Sequence, residues 1–561
     1  MKKYFALLSL VSIFITVPIV PARGLTPDTP APKAIIQTPP APQFSDAERQ
    51  QELAERRARV YAEMKDDSVM ILFSATPKVY TNDVDFLYRQ ENDLYYLTNL
   101  KQKDATLVMS KTGSKTQEFL FLPKRDPQNE TWNGHMYSPA EAADISGVKT
   151  ILDASEFENF FNLLKNKRPY SANGFSFTPA AVNLYLLTPS IGYETEDTRE
   201  YQREWELAKS LSKPEIGGDI NPVVYQKTGS YQIVSAFPIF EKLRLVKTPY
   251  EIKLIQHAID ISVEAHMRAM ATAGQVKWEY ETQAEIEYVF RRRNADYWGY
   301  PSIVGCGPNA TTLHYEESQG AVKPGDLLLQ DVGAEYEHLT ADVTRTFPVS
   351  GKFTKEQAEI YRIVYDAQEA AAKTIKPGAR FGEPAQAARQ TIEAGLARLG
   401  LITAPGAFIP GTNRVPQFFL WYMHGWGHWL GMNVHDVGGG GATVLKPGMI
   451  MTNEPGIYIR EDALDYLPDN PETKAWLEKI RPVYEKYKNI GVRIEDDMLV
   501  TPTGVEWMTG KLPRKLEDIE SFMASAANEI KVSRNENGPK TPDNIINNLA
   551  YRRIGGFDRT R

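Results

Sequence analysis

A segment interrupted by glycines carries three of the chain's eight histidines. Residues 424–438 read HGWGHWLGMNVHDVG and place His424, His428 and His435 within twelve positions. A glycine inside a helix costs about 1 kcal/mol relative to alanine, so the repeated glycines argue against a regular helix. A zinc-binding helix of the His-Glu-x-x-His type would need glutamate after the first histidine, where this chain has Gly425. The glycines instead let the backbone bend, which predicts that the histidines reach a site built by other segments.

The length and composition of the chain predict two folded domains flanked by tails. A chain of 561 residues is too long for one ordinary domain, and its hydrophobic fraction of 42% is sufficient for two cores. The net charge is −7 and no strongly basic block occurs, so nucleic acid is not an expected partner. The single cysteine, Cys306, excludes an internal disulfide.

The first 22 residues have the layout of a secretory signal peptide. Lys2 and Lys3 precede an apolar run over 4–20, and Ala22 offers a small residue for cleavage. The alternative is an uncleaved membrane anchor, because an apolar run of 17 residues approaches the length of a short transmembrane span. Cleavage is favoured, and no later stretch is apolar enough to cross a bilayer. We therefore expect an exported protein, periplasmic or secreted, with no stable membrane insertion after signal cleavage.

Composition and periodicity divide the remainder of the chain into four segments. Residues 23–44 are rich in proline and threonine, which predicts an extended linker. Runs typical of strands then alternate with helical stretches, which predicts an α/β domain over 45–238. A capping box beginning at Thr248 opens a long helix, and we place a second domain at 239–527. The polar sequence 528–561 is predicted to be a loosely ordered tail.

Two strand-like runs in residues 325–349 each carry one candidate aspartate, Asp331 in the first and Asp342 in the second. If the turn between them centres on residues 336–337, Asp331 lies directly opposite Asp342, with Cβ atoms roughly 4.5–5.5 Å apart. Aspartate is disfavoured inside strands, and two carboxylates at that separation repel each other unless a cation neutralises them. A divalent metal is one explanation, and solvent-facing aspartates on an edge strand are the other.

Two further acidic positions occur later in the second domain. Glu454 ends an apolar run just before the Pro-Gly break in MTNEPGIYI, and in IGVRIEDDMLVT Glu495 shares a strand face with Arg493. One histidine among several oxygen ligands suits a pair of Mn, Co or Zn ions better than a structural zinc site. His314, seventeen residues before the first aspartate, is a further candidate for the same cleft. The remaining four histidines have no comparable context.

These pieces, in this order, resemble one enzyme family. The segments are DVGAEYEHLTADVTRTFPVSGKFT, MHGWGHWLGMNVHDVG, NEPGIY and VRIEDD, together with YRQENDLYYLTNL at 88–100 in the first domain. They are similar to aminopeptidase P (Xaa-Pro aminopeptidase) of the pita-bread dinuclear metallopeptidases, over roughly residues 46–520. The resemblance implies a creatinase-like α/β N-terminal domain followed by an α+β pita-bread catalytic domain with a curved antiparallel sheet.

The resemblance also assigns roles to the candidate residues. Five of them become ligands of a dinuclear metal site: Asp331, Asp342, His428, Glu454 and Glu495. Asp342 and Glu495 would bridge both ions. Asp331 would complete one ion, and His428 and Glu454 would complete the other. Three histidines would line the substrate cleft while an arginine orients a ligand carboxylate, and these are His314, His424, His435 and Arg493. The resemblance favours Mn as the metal, with Co or Zn as alternatives.

The activity that the resemblance implies is removal of an N-terminal residue that precedes proline. Two ions would lower the pKa of a shared water, and His424 or His435 would donate hydrogen bonds to the oxyanion. Glu454 would carry a proton to the leaving nitrogen. The expected partners are peptides with proline at the second position, and we expect a homo-oligomer. A prolidase-like Xaa-Pro dipeptidase with the same metals is the alternative, and a non-catalytic binding relative is disfavoured because all five ligand positions are kept.

The chain departs from the family pattern in two places near the cleft. Trp426-Gly427 stands where smaller or polar residues are expected. The segment 460–489 is longer than usual and is predicted to contain its own helix. Both departures bear on the length and the preference of the substrate.

Overall fold

The computed structural model covers most of the two predicted domains. The described residues are 34–179, 182–188, 201–211, 213–215, 224–226 and 231–537. Within these ranges, no helix combines the length and the apolar character that crossing a membrane requires. The predicted signal peptide, the first part of the predicted linker and the end of the predicted tail lie outside the described residues.

Helices and short strands alternate along the described chain. The helices are α1 (Asp46–Glu63), α2 (Asn92–Thr98), α3 (Pro127–Asn133), α4 (Pro139–Ser146), α5 (Phe157–Lys165), α6 (Gln202–Leu211), α7 (Phe237–Leu245), α8 (Pro249–Thr272), α9 (Glu279–Arg292), α10 (Lys355–Ala372), α11 (Gly382–Leu399), α12 (Pro471–Tyr487) and α13 (Leu516–Asn537). The strands are β1 (Ser68–Phe73), β2 (Val79–Thr81), β3 (Val84–Asp85), β4 (Thr106–Thr112), β5 (Lys115–Leu122), β6 (Ile151–Asp153), β7 (Tyr170–Ala172), β8 (Phe175–Phe177), β9 (Asn183–Leu186), β10 (Lys213–Glu215), β11 (Val224–Gln226), β12 (Gln232–Ser235), β13 (Tyr297–Trp298), β14 (Ile303–Cys306), β15 (Leu327–Asp331), β16 (Ala334–Tyr336), β17 (Leu339–Thr340), β18 (Thr344–Pro348), β19 (Ile450–Asn453), β20 (Gly456–Tyr458), β21 (Gly491–Arg493), β22 (Asp496–Val500) and β23 (Val505–Trp507).

The N-terminal domain is built on a six-stranded mixed sheet. Its strand order is β12-β9-β1-β4-β5-β6, with β1 antiparallel to β4 and parallel to β9. Every residue of β1 is buried, as expected for a strand covered on both faces. Val69 and Ile71 pack with Phe160 of α5, whereas Met70 and Leu72 pack in the core on the other face. The predicted α/β class of this domain is confirmed.

The long helix α8 begins where its capping signal predicts. The Thr248 hydroxyl accepts a hydrogen bond from the Glu251 N–H, and the Glu251 carboxylate accepts one from the Thr248 N–H. Ile255, Ile259 and Val263, which lie on one face of the helix, are buried. The helix packs on β16 and β17, the hairpin that separates the two candidate aspartates.

The C-terminal domain is built from several short antiparallel sheets. Strands pair in the orders β14-β15-β18, β13-β16-β17 and β19-β22-β23, and β20 pairs with β21. A single bridge joins Thr344 to Glu495, and another joins Trp429 of the histidine segment to Met451 of β19. Helices α10 and α11 pack together, and α10 contacts β19, β20 and β21. The predicted α+β antiparallel class is confirmed.

The described part of the predicted linker lies against the C-terminal domain. Residues 34–44 form neither helix nor strand. Thr38 donates hydrogen bonds to Glu264 of α8 through its N–H over 2.7 Å and through its hydroxyl over 2.5 Å. The ring of Phe44 stacks on Tyr250 with centroids 3.9 Å apart. These contacts fix the path of the segment, and the extended linker stays a prediction.

At the other end, α13 extends beyond the predicted domain boundary. The helix continues to Asn537, although a loosely ordered tail was expected from residue 528. Ile519 and Ala526 are buried and anchor the helix on the domain. The described start of the predicted tail is therefore helical, and the domain boundary at residue 527 stays a prediction.

Candidate metal centre

The two candidate aspartates share one face of a hairpin but are not directly opposed. Asp331 pairs with Thr344 in the ladder between β15 and β18. The turn consists of Glu337 and His338, whose φ angles are 50° and 60°, as in a two-residue type I′ turn. The prediction of direct opposition is wrong because the turn lies one residue further along than expected. Asp342 is therefore two positions away from the partner of Asp331, which keeps it on the same face.

A tyrosine hydroxyl lies between the two aspartates. The Tyr300 hydroxyl is 2.5 Å from Oδ1 of Asp331 and 2.5 Å from Oδ1 of Asp342. Diagonal neighbours on one face of a hairpin are close enough to share such a group. Sequence patterns do not single out Tyr300, because nothing in WGYPS distinguishes it from an aromatic residue of the core.

Two glutamates reach the same cavity from strand ends. Glu495 directly precedes β22, and the Thr344 hydroxyl donates to its Oε2 over 2.7 Å. Glu454 lies between β19 and β20, and its backbone N–H donates to the Trp426 carbonyl over 2.8 Å. Both side chains line a cavity of about 390 Å³ together with the two aspartates.

His428 meets the carboxylates from the glycine-rich segment. Its Nε2 lies 3.2 Å from Oδ2 of Asp342 and 3.4 Å from Oε1 of Glu454. Candidate ligand atoms of Asp342, His428 and Glu495 all lie within 4.8 Å of one another. The structure thus brings the five predicted ligands to one cavity, while their individual roles as ligands stay predictions.

Close packing accounts for the glycines around His428. A Cβ at Gly427 would lie 2.3 Å from the Thr452 carbonyl oxygen, so only glycine fits. The His428 backbone N–H donates to the Thr452 hydroxyl over 3.0 Å, which fixes the segment to β19. Trp426 is buried, contacts Phe381 and does not line the cavity. The predicted bent backbone is confirmed, and the unexpected Trp-Gly pair is a packing feature.

Four further predicted residues line the cavity around the carboxylates, namely His314, His424, His435 and Arg493. Nη2 of Arg493 lies 2.5 Å from Oδ2 of Asp331. Its Nη1 donates to the hydroxyl of Tyr458, which is buried, over 2.8 Å. Arg493 is therefore placed to orient a candidate ligand carboxylate, as the resemblance implies. Tyr458 is a second residue that sequence reasoning missed, because its apolar strand context is that of a core residue.

Hydrogen bonds fix the ring of His424. Its Nδ1 lies 2.7 Å from the Gly425 carbonyl oxygen, which only accepts, so Nδ1 carries the proton. Its Nε2 lies 2.9 Å from the Tyr458 hydroxyl and accepts a hydrogen bond from it. Burial, reinforced by the charge of Arg493, lowers the pKa of His424 to about 3, so the ring is neutral near pH 7.

His435 lies at the rim of the cavity and is exposed. Its ring contacts the ring of His428 edge to face, with centroids 4.3 Å apart. Among the residues that the structure describes, none forms a hydrogen bond with the His435 ring. Desolvation by the surrounding protein is the largest cause that lowers the pKa of His435, to about 4, and the positive charges of His428 and His314 add to it. The ring is therefore neutral and carries one available N–H.

The cavity concentrates negative charge away from water. Burial, followed by the neighbouring carboxylates Asp342 and Glu454, raises the pKa of Glu495 well above its usual value. Burial raises the pKa of Asp342, and it raises that of Glu454 to about 7. Burial alone would lower the pKa of His428, but its hydrogen bond to Asp342 and the charge of Glu454 raise it to about 9. A bound cation would offset the repulsion among these carboxylates.

The residues present fit a divalent metal. Four carboxylates and one imidazole offer the oxygen and nitrogen ligands that Mn, Co and Zn accept. Arg493 pairs with Asp331. Within the described ranges, by contrast, neither Asp342 nor Glu495 forms an ion pair with lysine or arginine. Asp342 contacts His428 and the Tyr300 hydroxyl, and Glu495 accepts from the Thr344 hydroxyl, so these two buried carboxylates are the part of the site that a cation completes.

Two family matches divide the chain as the fold does. Residues 53–171 match the family described as aminopeptidase P, N-terminal domain. Residues 253–502 match metallopeptidase family M24. The second match contains all the candidate ligands and the residues that surround them.

The alignments of this chain with two named relatives span nearly the whole length of each relative. The chain is 34% identical over 478 residues to an Xaa-Pro aminopeptidase of Haemophilus influenzae, an alignment that spans 84% of this chain and 97% of the relative. An Escherichia coli Xaa-Pro aminopeptidase is 34% identical over 483 residues, which is 85% of this chain and 98% of that one.

Solved structures give the same result for the fold. A Pseudomonas aeruginosa aminopeptidase matches with a TM-score of 0.68 and 32% identity, over 87% of this chain and 99% of that chain. Aminopeptidase P from E. coli with the inhibitor Pro-Leu matches with a TM-score of 0.69 and 31% identity, over 87% and 100%. The chain therefore belongs to the aminopeptidase P group of metallopeptidase family M24, and it is an enzyme of that family.

Proposed function

We propose that this enzyme is an exported Xaa-Pro aminopeptidase that uses two divalent metal ions. The observation that carries the proposal is the convergence of four carboxylates and His428 on one cavity, with Arg493 and three further histidines around them. The named relatives are Xaa-Pro aminopeptidases, which supports the same bond specificity here.

In this proposal five side chains hold the two ions: Asp331, Asp342, His428, Glu454 and Glu495. Asp342 is suited to be a shared ligand, because its Oδ2 faces His428 while its Oδ1 faces Tyr300 beside Asp331. Glu495 is the second proposed shared ligand. When bound, the ions would lower the pKa of a water and polarise the scissile carbonyl. Manganese is the proposed metal, with cobalt and zinc as the alternatives to test.

Hydrogen bonds indicate different roles for His424 and His435. Both ring nitrogens of His424 are engaged, by the Gly425 carbonyl and by the Tyr458 hydroxyl. His435 is neutral, and its N–H has no acceptor among the described residues. We therefore assign to His435 the hydrogen bond that stabilises the developing oxyanion. His424 instead holds Tyr458 in contact with Arg493.

Glu454 is the proposed carrier of the proton that the leaving group needs. The nitrogen of a scissile amide must gain a proton before it leaves as an amine, and the attacking water supplies a proton that Glu454 can carry to it. Glu454 lines the cavity with Oε1 toward His428, so its other carboxylate oxygen is the one proposed to take up and release that proton. Its Oε1 lies 3.4 Å from the Thr452 hydroxyl, which steadies the side chain.

Export is proposed from the sequence of residues 1–22. N-terminal sequencing of the mature protein, recovered from fractionated cells, tests this part of the proposal. The expected result is a chain that begins after Ala22 in the periplasm or the medium. An intact N-terminus in the membrane fraction would show an uncleaved anchor instead.

Substrate length tests the proposed specificity. Metal-free protein is incubated with Mn, Co or Zn and with Xaa-Pro dipeptides, Xaa-Pro-Yaa tripeptides and longer peptides, and mass spectrometry identifies the products. The expected product is a single N-terminal residue released from tripeptides and longer peptides, with matched Xaa-Ala peptides resistant. Cleavage of dipeptides alone would identify a prolidase-like dipeptidase and would reject the aminopeptidase assignment.

A further inference from the structure

Two side chains of the N-terminal domain contact the residues just before His435. Arg89 donates through Nη2 to the Met432 carbonyl oxygen over 2.6 Å. Asn92 donates through its side-chain nitrogen to Oδ1 of Asn433 over 2.8 Å. The Arg89 and Asn92 side chains also bond each other over 2.8 Å, so the two contacts form one rigid unit. Both belong to the segment 88–100 that resembles the family's first domain.

A buried ion network holds the residue just after His435. Nη2 of Arg244 lies 2.5 Å from Oδ1 of Asp436, and its Nη1 lies 2.8 Å from Oδ1 of Asp93 in α2. Nζ of Lys247 lies 3.5 Å from the other oxygen of Asp436. These four side chains are between 1% and 5% exposed, so water and salt screen the network little.

Between these anchors the chain has little structure of its own. Residues 431–436 form neither a helix nor a strand. The Asp436 carboxylate closes this loop against Gly431, where a Cβ would lie 2.1 Å from Oδ2. Because no hydrogen bond from the described residues holds the His435 ring, its position follows from where the loop backbone is held.

We propose that Arg89, Asn92 and Arg244 are positioning residues for His435. Together with Asp93 and Asp436 we call them the interdomain latch. The inference rests on the proposed function, since it takes His435 as the donor to the oxyanion. The N-terminal domain would then serve the reaction by fixing one catalytic group across the domain boundary. A displacement of about 1 Å at a reacting centre can lower a rate by about 10²-fold, so even a small shift of His435 would lower the rate of hydrolysis.

The first test is the substitution Asn92→Ala, which removes two partly buried hydrogen bonds, one to Asn433 and one from Arg89, and leaves the ion network intact. We expect kcat for an Xaa-Pro-Yaa peptide to fall about tenfold, because the oxyanion donor is misplaced, while KM stays within about twofold. Metal content and the melting temperature should stay close to those of the unaltered enzyme. A kcat unchanged from that enzyme would overturn the proposal.

A double-mutant cycle separates positioning of His435 from a general structural role. If the latch acts through His435, Asn92→Ala should cause no further loss in a His435→Ala background. The same tenfold loss in both backgrounds would overturn the proposal, because the effect would not pass through His435. Full activity of His435→Ala would overturn the latch as well. Cleavage of Xaa-Pro-Yaa peptides by the unaltered enzyme tests the proposed function separately.

A second pair of variants tests the ion network and supplies the control. Arg244→Lys keeps the charge but loses the fork that spans Asp93 and Asp436, and it should lower kcat as Asn92→Ala does. Lys101→Ala breaks another contact between the domains, the 3.1 Å pair with Asp296, and among the described contacts neither residue forms a hydrogen bond or an ion pair with residues 431–436. It should leave kcat unchanged. An equal loss of kcat in Lys101→Ala would show that any weakened domain contact has this effect, and would overturn the specific role of the latch.

Discussion

The site has two halves that are held in place by different means. The acidic half consists of Asp331, Asp342, Glu454 and Glu495, and the histidine half is the segment 424–436. The carboxylates lie at strand ends: Asp331 belongs to the ladder of β15 and β18, and Glu495 forms a bridge with Thr344. The histidine half, residues 424–436, contains no helix or strand. Glycine contacts, buried tryptophans and single hydrogen bonds determine its path.

The buried side chain of Arg345 supports the acidic half from the core. Nη2 of Arg345 lies 2.6 Å from Oδ1 of Asp496, and its Nη1 donates to the Glu495 carbonyl over 2.7 Å. Its Nε donates to the Pro513 carbonyl over 2.9 Å, and the side chain is fully buried. The contacts of Arg345 therefore tie the strand end that carries Glu495 to the folded core. The histidine half has its support at the domain boundary instead.

This difference separates two kinds of failure. Changes in the acidic half should affect folding or metal binding, because the carboxylates and their supports are parts of the core. Changes in the histidine half should lower the rate of catalysis while the fold and metal binding are kept, because that half is a loop on whose residues the core does not depend. His428 is the exception, since it joins the two halves through Asp342 and Glu454.

The largest expected effect is that of Asp342→Ala. Asp342 faces His428 with one oxygen and Tyr300 with the other, so its loss removes the group that both parts of the site share. Activity and metal binding should both be abolished, as measured by peptide hydrolysis and by metal content after dialysis. Glu506→Ala, an exposed position on β23, is the matched control and should change neither. A metal-replete Asp342→Ala protein would remove Asp342 from the ligand set.

The next effect should fall on stability. Arg345→Met keeps the volume of the side chain but leaves Asp496 without its closest cation, and breaking such a buried pair costs about 3–5 kcal/mol. Arg362→Met is the control, since Arg362 forms an exposed 3.5 Å pair with Glu517 and should cost about 0–1 kcal/mol. Urea unfolding of the metal-free proteins measures both. Equal losses in the two variants would contradict the view that a buried frame supports the acidic half.

His435→Ala should produce the opposite pattern. The ring is exposed at the rim and its removal should leave the free energy of unfolding within about 0.5 kcal/mol of that of the unaltered enzyme. Metal content should be unchanged, and kcat should fall by about 10²–10³-fold if the ring donates to the oxyanion. Loss of metal in this variant would instead place His435 among the ligands and would end the contrast between the halves.

Local sequence patterns predicted some features of the site and of the fold and missed others. The carboxylates and their order were predictable, because acids at strand ends and before a Pro-Gly break stand out in apolar runs. The start of α8 was predictable from its capping box, and the helix expected within 460–489 is α12. No residue of 460–489 lines the metal cavity, so this segment does not shape the cavity directly.

The turn between the aspartates shows why register was harder to predict. A type I′ turn is usually marked by Asn-Gly or Asp-Gly, but here Glu337 and His338 adopt positive φ. Both are held by Tyr95 of the N-terminal domain, whose hydroxyl bonds the Glu337 carboxylate and whose ring stacks on His338 at 3.8 Å. Contact with a residue more than two hundred positions away determined the turn, and no local pattern records it. The same holds for Tyr300, which reaches the aspartates only through the fold.

The smallest expected effect is a pH dependence that involves both halves. Burial raises the pKa of Glu454, at a strand end, to about 7. The hydrogen bond to Asp342 outweighs burial and, with the charge of Glu454, raises the pKa of His428 to about 9. A proton on either group must leave before that group can bind a cation, so metal affinity should rise as pH increases. The rise should reach at most about tenfold per pH unit for each proton released.

Isothermal titration calorimetry between about pH 6 and pH 9, in buffers of different ionisation enthalpy, measures both the affinity and the protons released. Protons should be released most at the acidic end, where the metal-free protein holds them on both groups, and least near pH 9. His435→Ala is the control: the pKa of about 4 keeps that ring neutral over the whole range, so its removal should leave the pH dependence unchanged. An affinity that does not change with pH would mean that Glu454 and His428 do not bind the ion. The acidic and histidine halves would then not meet at a metal.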